Sequence, residues 1–160
     1  MRYFLEFTVV VIVFFGCLDR SPQPNHSAIL DTNLTLTEKF TTIAQSHLGK
    51  PYKLGEKGPD SFDCSGFVYG VAEAVGIKLP RTSLGQSEIE GKKLAREELQ
   101  VGDLVFFDTS LKGKVNHSGI YLGKDQFIHA SSGKAYSVTI SDMNGWYQDK
   151  FKWGKRLKSQ

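Results

Sequence analysis

Apolar residues recur along this chain with two different periods. From residue 35 to about residue 76 the spacing is three and four: Phe40, Ile43, Ala44 and Leu48 form one stripe, and Phe67, Val68, Val71, Ala72 and Val75 a second. Both stripes predict amphipathic helices. Thr35 followed by Glu38 matches the capping box that opens the first, and Gly49 with Pro51 closes it. Gly76 stands where the second helix needs a left-handed residue to end. After Leu79-Pro80-Arg81-Thr82-Ser83, the pair Ser83 and Gln86 matches a capping box again, at the head of a shorter helical stretch from Ser83 to Glu90. Then the period drops to two or vanishes. Leu104-Val105-Phe106-Phe107, His117 to Leu122, Phe127 to Ala130, Val138 to Ile140 and Phe151 to Leu157 are short branched and aromatic runs separated by Gly, Asp and Lys, which predict strands. Helices first and strands later predict an α+β fold with helices packed on an antiparallel sheet.

The N-terminus carries a different pattern. Arg2 precedes the run Phe7 to Phe15, apolar but for Thr8, which is too short to cross a bilayer core of about 30 Å and has the layout of a secretory signal. Phe14-Phe15-Gly16-Cys17 places a small residue before a cysteine, as in the lipobox of bacterial lipoproteins, so residues 1–17 are expected to be a signal ending in a lipidated Cys17. A soluble secreted form and an uncleaved anchor are the alternatives. Residues 18–34, with Pro22, Pro24, Asn25, Ser27 and Asn33 and no periodicity, are expected to be a tether, and 35–160 one globular domain. The expected location is therefore that of an exported lipoprotein, membrane-anchored and facing the periplasm or cell wall. The formal net charge of +3 is small, and Lys152, Lys155, Arg156 and Lys158 gather only at the end and form no aromatic-interleaved stripe, so nucleic acid is not an expected partner.

Lipidation would consume Cys17 and leave Cys64 as a lone thiol in an oxidising compartment; a Cys17–Cys64 disulfide is the alternative. Cys64 falls on the first turn of the second predicted helix, where unpaired N–H groups favour an anion and lower a cysteine's pKa. A buried cysteine acting as a small hydrophobe is the plain reading of any single Cys. A nucleophile needs a base, and the candidates are few. His26 lies in the tether and His47 near the end of the first helix, whereas His117 and His129 begin and end strands. These two strands would form a hairpin turning near Gly123-Lys124-Asp125-Gln126. A two-residue loop would put the two histidines on opposite faces, so an odd loop or a β-bulge is predicted, letting His129 orient His117 while the other His117 nitrogen meets Cys64. One thiolate and two imidazoles could also bind zinc or copper. No further cysteine or histidine completes a structural zinc site and Met1 and Met143 make a poor case for an axial copper ligand, so no metal and no cofactor is expected.

Taken together these residues resemble the NlpC family of bacterial cell-wall cysteine peptidases. The likeness runs over residues 35 to 157 through six motifs in order: Pro51-Tyr52-Lys53-Leu54-Gly55, Asp63-Cys64-Ser65-Gly66-Phe67, Leu79-Pro80-Arg81-Thr82-Ser83, Gly102-Asp103-Leu104-Val105-Phe106-Phe107, Asn116-His117-Ser118-Gly119-Ile120-Tyr121-Leu122-Gly123, and Phe127-Ile128-His129-Ala130-Ser131-Ser132. Ser118 stands where that family often has Val. The resemblance implies a compact papain-like fold with about five to six strands. It also implies Cys64 as nucleophile, His117 as base and His129 as its orienter. Tyr52 would lie beside the cysteine, and Asp63, Ser65 and Ser83 would line the pocket for the acyl-side peptide, with helix capping the alternative for those three. The implied partners are peptidoglycan stem peptides, cut by a monomeric enzyme at D-glutamyl-diaminopimelate bonds or at cross-links. The chain has no room for the small β-barrel targeting domains that some relatives place ahead of the peptidase, so intact or polymeric wall is the expected substrate. An idle wall-binding lipoprotein and an acyltransferase on the same scaffold are the competing expectations.

Overall fold

A computed structural model describes residues 34–157. Cys17, the expected signal and nearly all of the expected tether lie outside the described residues. Helix α1 (Leu36–Ser46) opens with the capping box read from Thr35 and Glu38, and α2 (Cys64–Ala74) is capped by Asp63, whose side chain accepts from Gly66 N–H. The end of α2 is closed as the glycine signal implied: Gly76 has φ +81°, Gly76 N–H bonds to Glu73 O and Ile77 N–H to Ala72 O. One α1 expectation is corrected. Leu48 does not continue the apolar stripe, because the helix stops at Ser46 and Leu48 turns out to solvent, while Phe40 and Ala44 are buried.

Helix α3 (Ser83–Ser87) is shorter than predicted and starts differently. Thr82 is the N-cap, accepting from Gly85 N–H, which releases Ser83 and Gln86 from the predicted capping box. Both are buried and serve the interior instead.

Five strands follow: β1 (Leu104–Phe107), β2 (His117–Gly123), β3 (Gln126–Ala130), β4 (Val138–Asp142) and β5 (Phe151–Lys155). They form one antiparallel sheet in the order β4-β3-β2-β1-β5, within the predicted range. Alternation along the strands divides the core into two. Leu104, Phe106, Ile120, Ile128 and Ala130 pack with α1 and α2, through Phe40, Phe67, Val68 and Val71. On the opposite face Val105, Phe107, Tyr121 and Phe127 pack under Met143 and Tyr147, from the turn-rich segment between β4 and β5.

The β2–β3 hairpin carries the bulge that its histidines required. Lys124 and Asp125 form a two-residue turn with φ of +51° and +58°, as a type I′ turn demands. Gly123 pairs with Gln126, yet Tyr121 pairs with Phe127, so Leu122 is an extra residue. Without it His117 and His129 would face opposite ways.

Candidate active site

Cys64 is the first residue of α2, and three features hold it there. Asp63 accepts from Gly66 N–H at 2.7 Å and Gly55 N–H at 2.8 Å, and receives both guanidinium nitrogens of Arg81 at 2.9 and 2.6 Å. Burial alone would raise the Asp63 carboxyl, but Arg81 and the two backbone donors outweigh it and hold it below the usual carboxylate range. Gly66 lets the Glu56 carbonyl come against the helix backbone where any Cβ would collide. The Cys64 N–H has no acceptor among the described residues, as expected of a helix's first turn.

The thiol itself touches Ser83 Oγ at 3.6 Å and the Asn116 carbonyl at 3.9 Å, the latter on the residue that leads into β2. The direction of the Ser83 contact follows from its neighbours. Gln86 Nε2 donates to the carbonyls of Ser65 (2.9 Å) and Pro80 (3.0 Å), so its Oε1 accepts from Ser118 Oγ at 3.0 Å. Having given its one hydrogen, Ser118 can only accept from Ser83 at 3.1 Å, which leaves Ser83 to accept from the thiol. The resting sulfur is thus an S–H donor. Its pKa agrees in sense and corrects the sequence expectation: burial, reinforced by the Asp63 carboxylate, pushes the Cys64 thiol up despite the helix N-terminus.

His117 and His129 are both buried. His117 Nε2 lies 2.8 Å from His129 Nδ1, with the rings at 86°. Burial pushes His117 down to about 4 and His129 well below the ordinary imidazole value, so both are neutral at pH 7. Two aromatics set the rings through three contacts: Phe127 stacks on His129 at 4.6 Å, Tyr147 lies parallel to His117 at 6.0 Å, and Tyr147 meets His129 edge-on at 5.4 Å. Gly119, two residues after His117, makes the space. A Cβ there would come within 2.7 Å of Phe127 Cδ2 and 3.2 Å of His129 Cβ.

Two clefts flank this centre. A smaller one of about 260 Å³ is lined by Tyr52, Asp63, Cys64, Ser65, Ser83 and Asn116 among others, and a larger one of about 850 Å³ receives His117, Ser141, Trp146 and Tyr147. Tyr52, Asp63, Cys64, Ser65, Ser83, His117 and His129 are therefore gathered at one place, but in different ways. Tyr52 is half-buried in the smaller cleft, its phenol raised first by burial and then by nearby Cys64 and Asp63. Asp63 and Ser65 border the same cleft, yet their polar atoms are engaged with Arg81, which donates to Ser65 Oγ at 3.0 Å. Sequence reasoning passed over Arg81, Gln86, Ser141 and Tyr147. Arg81 stood within the Leu79 to Ser83 motif and Gln86 within a predicted capping box, and Tyr147 belonged to the Trp146-Tyr147 aromatic pair in a stretch without strand period, so each carried a signal without a site role.

The sequence profile of the NlpC/P60 family matches residues 49–156, a span that includes Tyr52, Cys64 and both histidines. The chain belongs to the NlpC/P60 family. It is 42% identical over 109 residues to an Escherichia coli K12 protein named murein DD-endopeptidase MepS/murein LD-carboxypeptidase, covering 68% of this chain and 53% of that one. An NlpC/P60 family protein from Bacillus cereus superimposes with a TM-score of 0.69 at 33% identity, covering 75% of this chain and 39% of the other. The peptidoglycan hydrolase RipB of Mycobacterium tuberculosis superimposes with a TM-score of 0.64 at 30% identity, covering 78% and 66%. The chain spans about half the length of the E. coli relative and about a fifth of the Listeria seeligeri p60 protein that it also matches, 53% and 19%.

Proposed function

We propose that this NlpC/P60 chain is a peptidoglycan endopeptidase that cleaves wall stem peptides through a Cys64 thioester. The observation that carries this reading is the placement of a thiol, on a helix start with a free N–H, against the entry to the strand whose first residue is a paired, neutral histidine. His117 has one ring nitrogen committed to His129, so Nδ1 is the base. It takes the Cys64 proton as sulfur attacks the amide carbon, the Cys64 N–H steadies the oxyanion, and His117 returns the proton to the leaving amine. Water, deprotonated by the same nitrogen, then hydrolyses the thioester. Because His117 must reach the leaving group, the larger cleft takes the amine side of the substrate and the smaller cleft, with Tyr52, Ser65, Ser83 and the engaged Asp63, the acyl side.

The E. coli relative's name supports cross-links as the bond cut, ahead of the D-glutamyl-diaminopimelate bond. The lipobox-like Phe15-Gly16-Cys17 supports an exported lipoprotein, whose tether would keep a monomeric enzyme close to its polymer. Incorporation of labelled palmitate, lost in Cys17→Ser, is the expected sign of that anchor; equal labelling of both proteins rejects it. The peptidase test is digestion of purified peptidoglycan by residues 18–160 beside the Cys64→Ala form, with products identified by mass spectrometry. Release of peptides by the wild type alone is expected. If neither protein cuts wall or cross-linked muropeptides, while both bind wall equally, a recognition module takes the place of the enzyme.

A further inference from the structure

The hydrogen-bond chain that begins at His117 does not end at the second histidine. His129 Nε2 lies 2.9 Å from Ser141 Oγ. Ser141 is on β4, where it pairs with Phe127 while its neighbour on the same face, Thr139, pairs with His129. Its side chain is half-buried in the wall of the larger cleft, so its hydroxyl has both the imidazole and the open cleft within reach.

A neutral imidazole has one N–H and one bare nitrogen, so a chain through two of them can run in only two directions. In the outward direction His117 Nε2–H donates to His129 Nδ1, His129 Nε2–H donates to Ser141 Oγ, and His117 Nδ1 is bare. In the inward direction Ser141 O–H donates to His129 Nε2, His129 Nδ1–H donates to His117 Nε2, and a hydrogen occupies His117 Nδ1. Only the outward direction leaves a base for the thiol. We propose that Ser141 is a positioning residue which, by accepting from His129 Nε2, holds both histidines in the outward direction.

A serine hydroxyl can serve either direction, so the choice follows from the proton that Cys64 delivers. With both His117 nitrogens protonated, His129 Nδ1 must accept, His129 Nε2 must carry its hydrogen, and Ser141 must accept it. Outward, Ser141 Oγ accepts from His129 and its own hydrogen turns into the cleft, so both capacities of the hydroxyl are used. When the Cys64 proton moves to His117 Nδ1, the imidazolium keeps its Nε2–H bond to His129, and His129 and Ser141 keep their hydrogens. The developing positive charge meets an acceptor at each step outward. Among the described residues, the aromatic rings of Phe127, Phe107 and Tyr147 that pack against the histidines supply no acceptor in the hydrogen-bond chain. This assignment rests on the peptidase reading for its catalytic meaning, but the hydrogen positions can be read without turnover.

The test compares Ser141→Thr with Ser141→Val, near-isosteric residues that both suit a strand and differ in the hydroxyl. Ring 13C and 15N NMR on the full chain in detergent, in a Cys64→Ala background, reports the tautomer of each histidine. The wild-type serine and the threonine should show His117 protonated at Nε2, and the valine a new population protonated at Nδ1. With Cys64 present, the valine should lower kcat about three- to tenfold, the usual worth of one hydrogen bond, with KM within about twofold, and the threonine should restore it. Ser141→Ala serves as a second hydroxyl-free variant should valine disturb the strand, with far-UV circular dichroism as the check. Wild-type kcat and unchanged His117 ring signals in the hydroxyl-free variants would overturn the assignment. If no protein, wild type included, cuts wall, the peptidase reading fails on its own, and the ring signals still decide whether Ser141 sets the direction.

Discussion

At Cys64 two physical effects oppose each other. The start of a helix favours a thiolate, by up to about 2 kcal/mol in partly buried settings, whereas burial beside the Asp63 carboxylate disfavours it. Burial wins, and the hydroxyl chain from Gln86 through Ser118 and Ser83 points the same way by asking the sulfur to donate. Alkylation of Cys64 by iodoacetamide should therefore keep climbing with pH beyond the ordinary thiol range. A plateau reached already near pH 6 would mean a resting thiolate and defeat this account. Ser118→Val removes the acceptor for Ser83, freeing its hydroxyl to donate to sulfur, so this variant should react several-fold faster at pH 7 even though it leaves Gln86 Oε1 short of a donor.

The hairpin of β2 and β3 is the element on which the site depends. Its turn alone would separate the histidines, and one extra residue, Leu122, brings them to a single face where Gly119 leaves room for both. Gly119→Ala would press a methyl group against Phe127, the Ile128 carbonyl and His129 in the middle of a sheet. Overpacking of this kind costs about 1–3 kcal/mol, so the variant should show a lower urea midpoint. The proposed wall-cleaving activity should be mostly lost in this variant while it is still folded, because the displaced ring is one partner of the 2.8 Å His117–His129 contact. Unchanged stability and activity would show that the sheet can open at this point without cost.

For the molecule as a whole, two buried neutral histidines make acid the weak direction. The folded value of His117, about 4, lies below its ordinary 6.5, so between these values the unfolded chain binds more protons and stability falls as pH falls. His117 alone should remove about 2 kcal/mol between pH 7 and pH 5, with His129 adding in the same sense. Urea titrations at the two pH values, on the wild type and on His117→Gln, would measure it. An equal loss in both proteins would assign the acid sensitivity elsewhere. Much of this architecture could be read from the chain because it rests on local rules. Side-chain period placed α1, α2 and all five strands, capping chemistry placed Thr35 and Glu38, and the need for a shared face required a bulge in the hairpin. The positions of Cys64, His117 and His129 at element ends were legible for the same reason. What only the tertiary structure decided concerns residues whose partners are distant in sequence. Arg81 meets Asp63, Gln86 leaves its predicted capping box to direct Ser118, and Ser141 meets His129 because β4 pairs with β3. The state of the thiol belongs to this second group as well. A helix start can be recognised from residues three and four apart, but the burial that overrides it is set by the strand end and loop folded against it.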